Sequence, residues 1–114
     1  MAKEYKSITA DIGAYTAELR KVIPDVMGEF SNLARAATQT KALDEKTKEF
    51  VALALGVAAH CDGCIGFHVK ALARLGATRE EVADVLGTAI YMGGGPSVMY
   101  AADALRAFDQ FAQA

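Results

Sequence analysis

The chain has 114 residues, a formal charge of −2 and 53% hydrophobic residues. That length supports one hydrophobic core, large enough to stand without disulfide staples, so residues 1–114 are expected to form a single domain. The mildly acidic balance offers no basic field, and neither nucleic acid nor an anionic membrane is expected as a partner.

Strand patterns are absent and helix formers dominate, so the expected fold class is all-α, with about six helices in a bundle. The first helix is predicted over Ile8 to Val22, with Ile8, Ile12, Tyr15, Leu19 and Val22 at helical spacing. Pro24 ends it and opens a second helix carrying Val26, Met27, Phe30, Leu33 and Ala34. Thr38 to Leu43 reads as a loop. Asp44 is a good N-cap for a third helix, and Glu45 complements its dipole. From Phe50 to Ala59 that helix carries no charge, which predicts a central element buried on every side.

A turn is expected at His60 to Gly63, making helices three and four a central hairpin, with Gly76 stopping the fourth. Thr78-Arg79-Glu80-Glu81 is a capping box for a fifth helix with Val82, Val85, Leu86, Ala89 and Ile90 on its apolar face. Gly93-Gly94-Gly95 breaks that helix, and Pro96 and Ser97 start a sixth. The glycines suit an interhelical turn rather than a phosphate loop, because neither a P-loop motif nor a preceding strand accompanies them.

The apolar share exceeds what a small interior holds, so a homo-oligomer is expected. The N-terminus lacks the apolar stretch of a secretory signal, and the uncharged run at Phe50 to Ala59 is about half a membrane span. The expectation is a soluble, cytoplasmic protein. In that reducing setting, paired cysteines point to redox or metal chemistry rather than a structural bridge.

Both cysteines and one of two histidines fall within Cys61-Asp62-Gly63-Cys64-Ile65-Gly66-Phe67-His68. Cys61, Cys64 and His68 stand at i, i+3 and i+7, on one helix face that continues through Ala71, Leu72 and Leu75. That continuation predicts a core-facing, partly buried set. Cys61 lies nearest the helix start, where the dipole favours a thiolate; Cys64 is one turn from His68 and best placed to exchange a proton with it. In an antiparallel hairpin the residue opposite His68 is near Leu53, and Glu49 lies about 6 Å further along, within reach directly or through a water. A carboxylate there would hold the imidazole and share in proton transfer.

Three other readings stand beside the dithiol. Buried cysteines can be small hydrophobes, leaving a redox-inert oligomeric interaction module. Glu49 can be a solvated residue beside Lys46 and Lys48. Cys-x2-Cys-x3-His supplies three zinc ligands, although only His60 and carboxylates are available as a fourth, and no metal or other cofactor is expected. His60 would either cap the third helix or line the thiol pocket.

Glu49, twelve residues before Cys61-x-x-Cys64-x-x-x-His68, resembles the signature of AhpD-like alkylhydroperoxidases of the carboxymuconolactone decarboxylase superfamily. The likeness extends through Lys41 to Glu49, Leu75 to Glu81 and Tyr91 to Pro96, spanning roughly Pro24 to Leu105. It implies an all-α fold assembled as trimers or hexamers, and reduction of a small hydroperoxide at the expense of a dithiol or protein disulfide reductant. By position, Cys64 would be the peroxidatic cysteine and Cys61 the resolving one, with Glu49 and His68 in the proton relay. Family members that decarboxylate carboxymuconolactone lack the cysteine pair, so that alternative activity is not expected. The best-known alkylhydroperoxidase has a histidine where this chain has Gly63.

Overall fold

The structure, a computed structural model of the chain, describes residues 2–113. It is all-α, with six helices: α1 Tyr5–Val22, α2 Pro24–Thr38, α3 Glu45–Ala58, α4 Asp62–Arg74, α5 Arg79–Gly93 and α6 Gly95–Ala112. No helix among the described residues is long and apolar enough to cross a membrane. The stops and starts follow local chemistry. Asp44 accepts the Thr47 N–H, and Thr78 and Glu81 form the reciprocal capping box. Gly76, at φ +79°, closes α4 with Ala77 N–H bonded back to the Leu72 carbonyl.

Two boundaries differ from the pattern in the sequence. α1 begins at Tyr5 rather than Ile8, because the Glu4 carboxylate accepts the Lys6 and Ser7 N–H groups and serves as the cap. Of the three glycines after Met92, only Gly94, at φ +78°, breaks the chain. Gly93 stays helical, and any Cβ there would collide with the Ser97 side chain.

The core forms where α3, α4, α5 and α6 meet. Leu53 and Val57 of α3 pack with Ile65, Val69 and Leu72 of α4, Val82 and Leu86 of α5, and Ala104 and Phe108 of α6. Fully burying residues of this size is worth roughly 1.5–3 kcal/mol each before entropy is charged against it. α1 crosses α4 at Gly63 and Gly66, one helical turn apart. A Cβ at Gly66 would lie 2.6 Å from Thr9 Cγ2, and one at Gly63 would lie 2.8 Å from Ile12 Cδ1. A larger residue at position 63, histidine included, therefore requires the end of the Ile12 side chain to shift.

Burial corrects two expectations and leaves one helix uncovered. α3 is covered on one face only: Val51 and Leu55 are exposed within this chain, although no charge interrupts the segment. The covered face of α4 is Ile65, Val69 and Leu72, rotated one position from the Cys64–His68 stripe, which is half-buried at the edge. α2 buries no residue at all, and its Val26, Phe30 and Leu33 stand open.

Candidate functional site

α3 and α4 run antiparallel because the chain reverses in three residues, Ala59 to Cys61. His60 takes a left-handed conformation, φ 56°, and its N–H bonds to the Val57 carbonyl while Cys61 N–H bonds to that of Gly56. Cys61 then caps α4, its Sγ accepting the Cys64 N–H at 3.1 Å. It is thus the residue before the helix rather than one on its face, and the turn is shorter than the expected His60 to Gly63.

Cys61 and Cys64 are joined as a disulfide, with their Cα atoms 5.2 Å apart. The hairpin brings Gly56 against Cys64: a Cβ at position 56 would sit 3.0 Å from Cys64 Cβ. Gly56 therefore sets how closely α3 approaches the sulfurs. A glycine inside an otherwise helical apolar run is the sequence signal for such an approach, and it lies outside the Cys-x-x-Cys motif itself.

Glu49 reaches His68 directly, without a bridging water. Its Oε1 lies 2.6 Å from His68 Nδ1, and the Glu49 residue is 7% exposed. A buried carboxylate needs such a partner. It also favours the tautomer with hydrogen on Nδ1, leaving Nε2 for a second proton partner. Beside the pair opens a cleft of about 320 Å³ lined by Ala52, Leu55, Gly56, Ala59, Cys64 and His68. Cys64 and the imidazole share its wall, and Cys61 is not part of the lining.

His60 takes the first expected role, capping α3, and does not line the cleft. Its backbone, not its ring, closes α3, and the ring stacks on Tyr100 with centroids 4.7 Å apart and planes 8° from parallel. That contact offsets the cost, about 1–2 kcal/mol, of a left-handed non-glycine residue. The three ligands of the zinc reading are bonded elsewhere, the cysteines to each other and His68 Nδ1 to Glu49. Among the described residues no three His, Cys, Asp or Glu side chains are arranged around a common metal position.

A polar cluster around Asp62 carried no sequence signal, because its members are up to 107 residues apart. Lys3 Nζ donates to Asp62 Oδ1 at 2.9 Å and to Asp103 Oδ2 at 2.8 Å. Tyr5, fully buried, donates its hydroxyl to the same Asp62 oxygen at 2.8 Å. Gln110 clamps the segment by accepting Tyr5 N–H and donating to the Lys3 carbonyl. Burial works to raise the Asp62 carboxyl, but the Lys3 and Tyr5 hydrogen bonds outweigh it and hold Asp62 below its ordinary value. Asp103 and then Asp62 hold the Lys3 ammonium above its usual range. Burial first, and the Asp62 acceptor second, push the Tyr5 phenol far above its own.

The arrangement as a whole is a two-electron disulfide at a cleft, next to an imidazole oriented by a buried carboxylate. Comparison with known proteins places the chain in a family. The sequence profile described as "Carboxymuconolactone decarboxylase family" matches residues 24–107. An uncharacterized protein of Cupriavidus necator is 40% identical over 109 residues, covering 96% of both chains. An uncharacterized protein encoded in the cox locus of Paracoccus denitrificans is 33% identical over 81 residues, 71% of this chain and 73% of that one. The apo crystal structure of a carboxymuconolactone decarboxylase family protein from Legionella pneumophila superposes with a TM-score of 0.93 at 56% identity, covering 95% of this chain and 96% of that one. A family member from Thermotoga maritima, for which a part in antioxidative response has been suggested, superposes with a TM-score of 0.79 at 25% identity, covering 90% and 91%. The chain is a member of the carboxymuconolactone decarboxylase family.

Proposed function

We propose that this protein is a thiol-dependent peroxidase that reduces organic hydroperoxides through the Cys61–Cys64 couple. The observation that carries the reading is the cleft in which Cys64 adjoins His68, while His68 is held by buried Glu49. The antioxidative role suggested for the Thermotoga maritima relative agrees with it.

In the reduced protein, His68 takes the Cys64 proton, with Glu49 fixing the ring. The Cys64 thiolate attacks the outer oxygen of ROOH and the O–O bond breaks. Cys64 becomes a sulfenic acid, and the departing alkoxide recovers the proton from His68 to leave as ROH. The Cys61 thiol then attacks the Cys64 sulfur; water leaves and the disulfide closes. Two thiols and ROOH become a disulfide, ROH and water. A dithiol, free or on a partner protein, restores the thiols through a mixed disulfide, which suits a reducing cytoplasm.

Cys64 is the attacker in this scheme because it faces the cleft, whereas Cys61 Sγ is turned to the helix start and suited to resolving. A homo-oligomer belongs to the same proposal. Open apolar side chains on α2 and α3, Phe30 at 64% and Leu55 at 65% exposure among them, support a second copy as their cover. Sedimentation of Phe30→Asp should then show a smaller species than wild type.

The test of activity is turnover of an organic hydroperoxide with a dithiol reductant. Wild type should turn over and Cys64→Ser should be inactive. A Cys64→Ser protein with wild-type turnover would remove the mechanism.

A further inference from the structure

Asp62 lies between the two cysteines in sequence, and its carboxylate is a charge that works against forming a thiolate at either. Carboxylates dominate the surroundings. On α3 stands Glu49, bonded to His68 of α4; on α4 stands Asp62; on α6 stands Asp103, with Tyr100 beside the His60 ring. Lys3 is the cation set among them. Its Nζ bonds both Asp62 and Asp103 and lies 4.9 Å from the centre of the Tyr100 ring. The residues flanking Cys61 are thus both tied into one cluster, His60 through Tyr100 and Asp62 through Lys3 and Tyr5.

We propose that Lys3 is a positioning residue for the Cys61–Cys64 couple: by pairing with Asp62 it offsets the carboxylate that would otherwise suppress thiolate formation at the adjacent cysteines. This rests on the reading of Cys61–Cys64 as a redox couple. The N-terminal segment then does more than tether α1 to α4. It sets the acidity of the thiols, and through it the equilibrium in which the disulfide and two glutathione molecules become two cysteine thiols and glutathione disulfide.

The sign of the effect separates this role from mere support. Lys3→Met removes the cation and leaves Asp62 and Asp103 uncompensated, so thiolates become harder to form. Asp62→Asn removes the anion and leaves the ammonium, so thiolates become easier to form. A tether alone would be broken by both changes and would move the thiols the same way in each. A unit charge on the residue between the two cysteines, partly screened, shifts the equilibrium by about fivefold.

The experiment takes the full chain, reduces it with excess dithiol, removes the reductant and follows iodoacetamide alkylation against pH. The equilibrium with glutathione is measured in parallel. The expected midpoint of alkylation rises by roughly half to one pH unit in Lys3→Met, falls by a similar amount in Asp62→Asn and stays at the wild-type value in Lys3→Arg. The dithiol form should be correspondingly disfavoured in Lys3→Met and favoured in Asp62→Asn. Shifts of the same sign in the two variants, or none in either, overturn the role of Lys3 while leaving the couple intact. A wild-type disulfide that cannot be reversibly reduced overturns both the couple and this inference.

Discussion

The α3–α4 hairpin and the α1–α2 hairpin are built from similar material and end up differently. Both pair amphipathic helices across a short reversal, and both carry apolar residues at i, i+4 and i+7. In α4 that set is Ile65, Val69 and Leu72, all fully covered by the chain's own helices. In α2 it is Val26, Phe30 and Leu33, each more than 60% exposed. α1 shows the divide within one element: Tyr5 and Thr9 are buried against α4, while Tyr15 and Val22 stand over 70% exposed further along. Periodicity states that a face needs cover. It does not state whether the same chain supplies it.

The contrast can be broken most severely in the core. Leu53→Ala should cost about 3 kcal/mol in urea unfolding, as a buried leucine truncation does. Phe30→Ala on the open face should cost below about 1 kcal/mol at protein concentrations where no assembly forms. Equal losses would mean that α2 is held by contacts within the chain.

The α3–α4 hairpin carries the proposed chemistry as well as the core, and Glu49 is where the two roles divide. Glu49→Gln keeps volume and a hydrogen-bonding group against His68 but removes the charge that orients and stabilises the imidazole. Turnover should fall about a hundredfold. Stability should fall only by about 1 kcal/mol. A matched loss in rate and melting temperature would make Glu49 a structural support.

A pair of glycine substitutions gives the comparison opposite signs. Gly66→Ala forces a Cβ to within 2.6 Å of Thr9 Cγ2 and 3.3 Å of Tyr5 Cδ1, and should destabilise by about 1–3 kcal/mol. Gly28→Ala, with nothing within 4 Å of the new methyl, should stabilise α2 by about 0.5–1 kcal/mol. Thermal unfolding of the two proteins reads both, and a Gly66→Ala protein at least as stable as wild type would show that α1 does not press on α4 as described.

The smallest effect is a change with pH. The Asp62 carboxyl is held below its ordinary value of 3.8, so its pairing stabilises the fold above that pH and is lost as pH falls through the lower, folded value. Asp62→Asn should therefore flatten the dependence of unfolding stability on pH below about 4. An unchanged slope would show that the Lys3–Asp62 pair contributes nothing to stability.

Much of this architecture is legible in local chemistry. Pro24, Asp44, Gly76 and the Thr78–Glu81 box act on neighbours a few residues away, and each does what its type dictates. Glu49 and His68 are also legible, because a three-residue reversal fixes which turns of α3 and α4 face each other. What escapes is set by distant partners. Nothing local marks Lys3 as a neighbour of Asp62, 59 residues away. The one-position rotation of α4 follows from α1 resting on Gly63 and Gly66, which turns Cys64 and His68 toward the edge. His60 is drawn to Tyr100 of α6, a residue that no hairpin argument includes.

The central claim is that Glu49, Cys61, Cys64 and His68 form one redox site, and a single turnover tests it most directly. Fully reduced protein is mixed with one equivalent of an organic hydroperoxide, and thiols and alcohol are counted together. The account predicts loss of two thiols per chain with one equivalent of alcohol in wild type, a trapped sulfenic acid in Cys61→Ser and no reaction in Cys64→Ser. Two thiols remaining in the wild-type protein, or alcohol formed by Cys64→Ser at the wild-type rate, would contradict it.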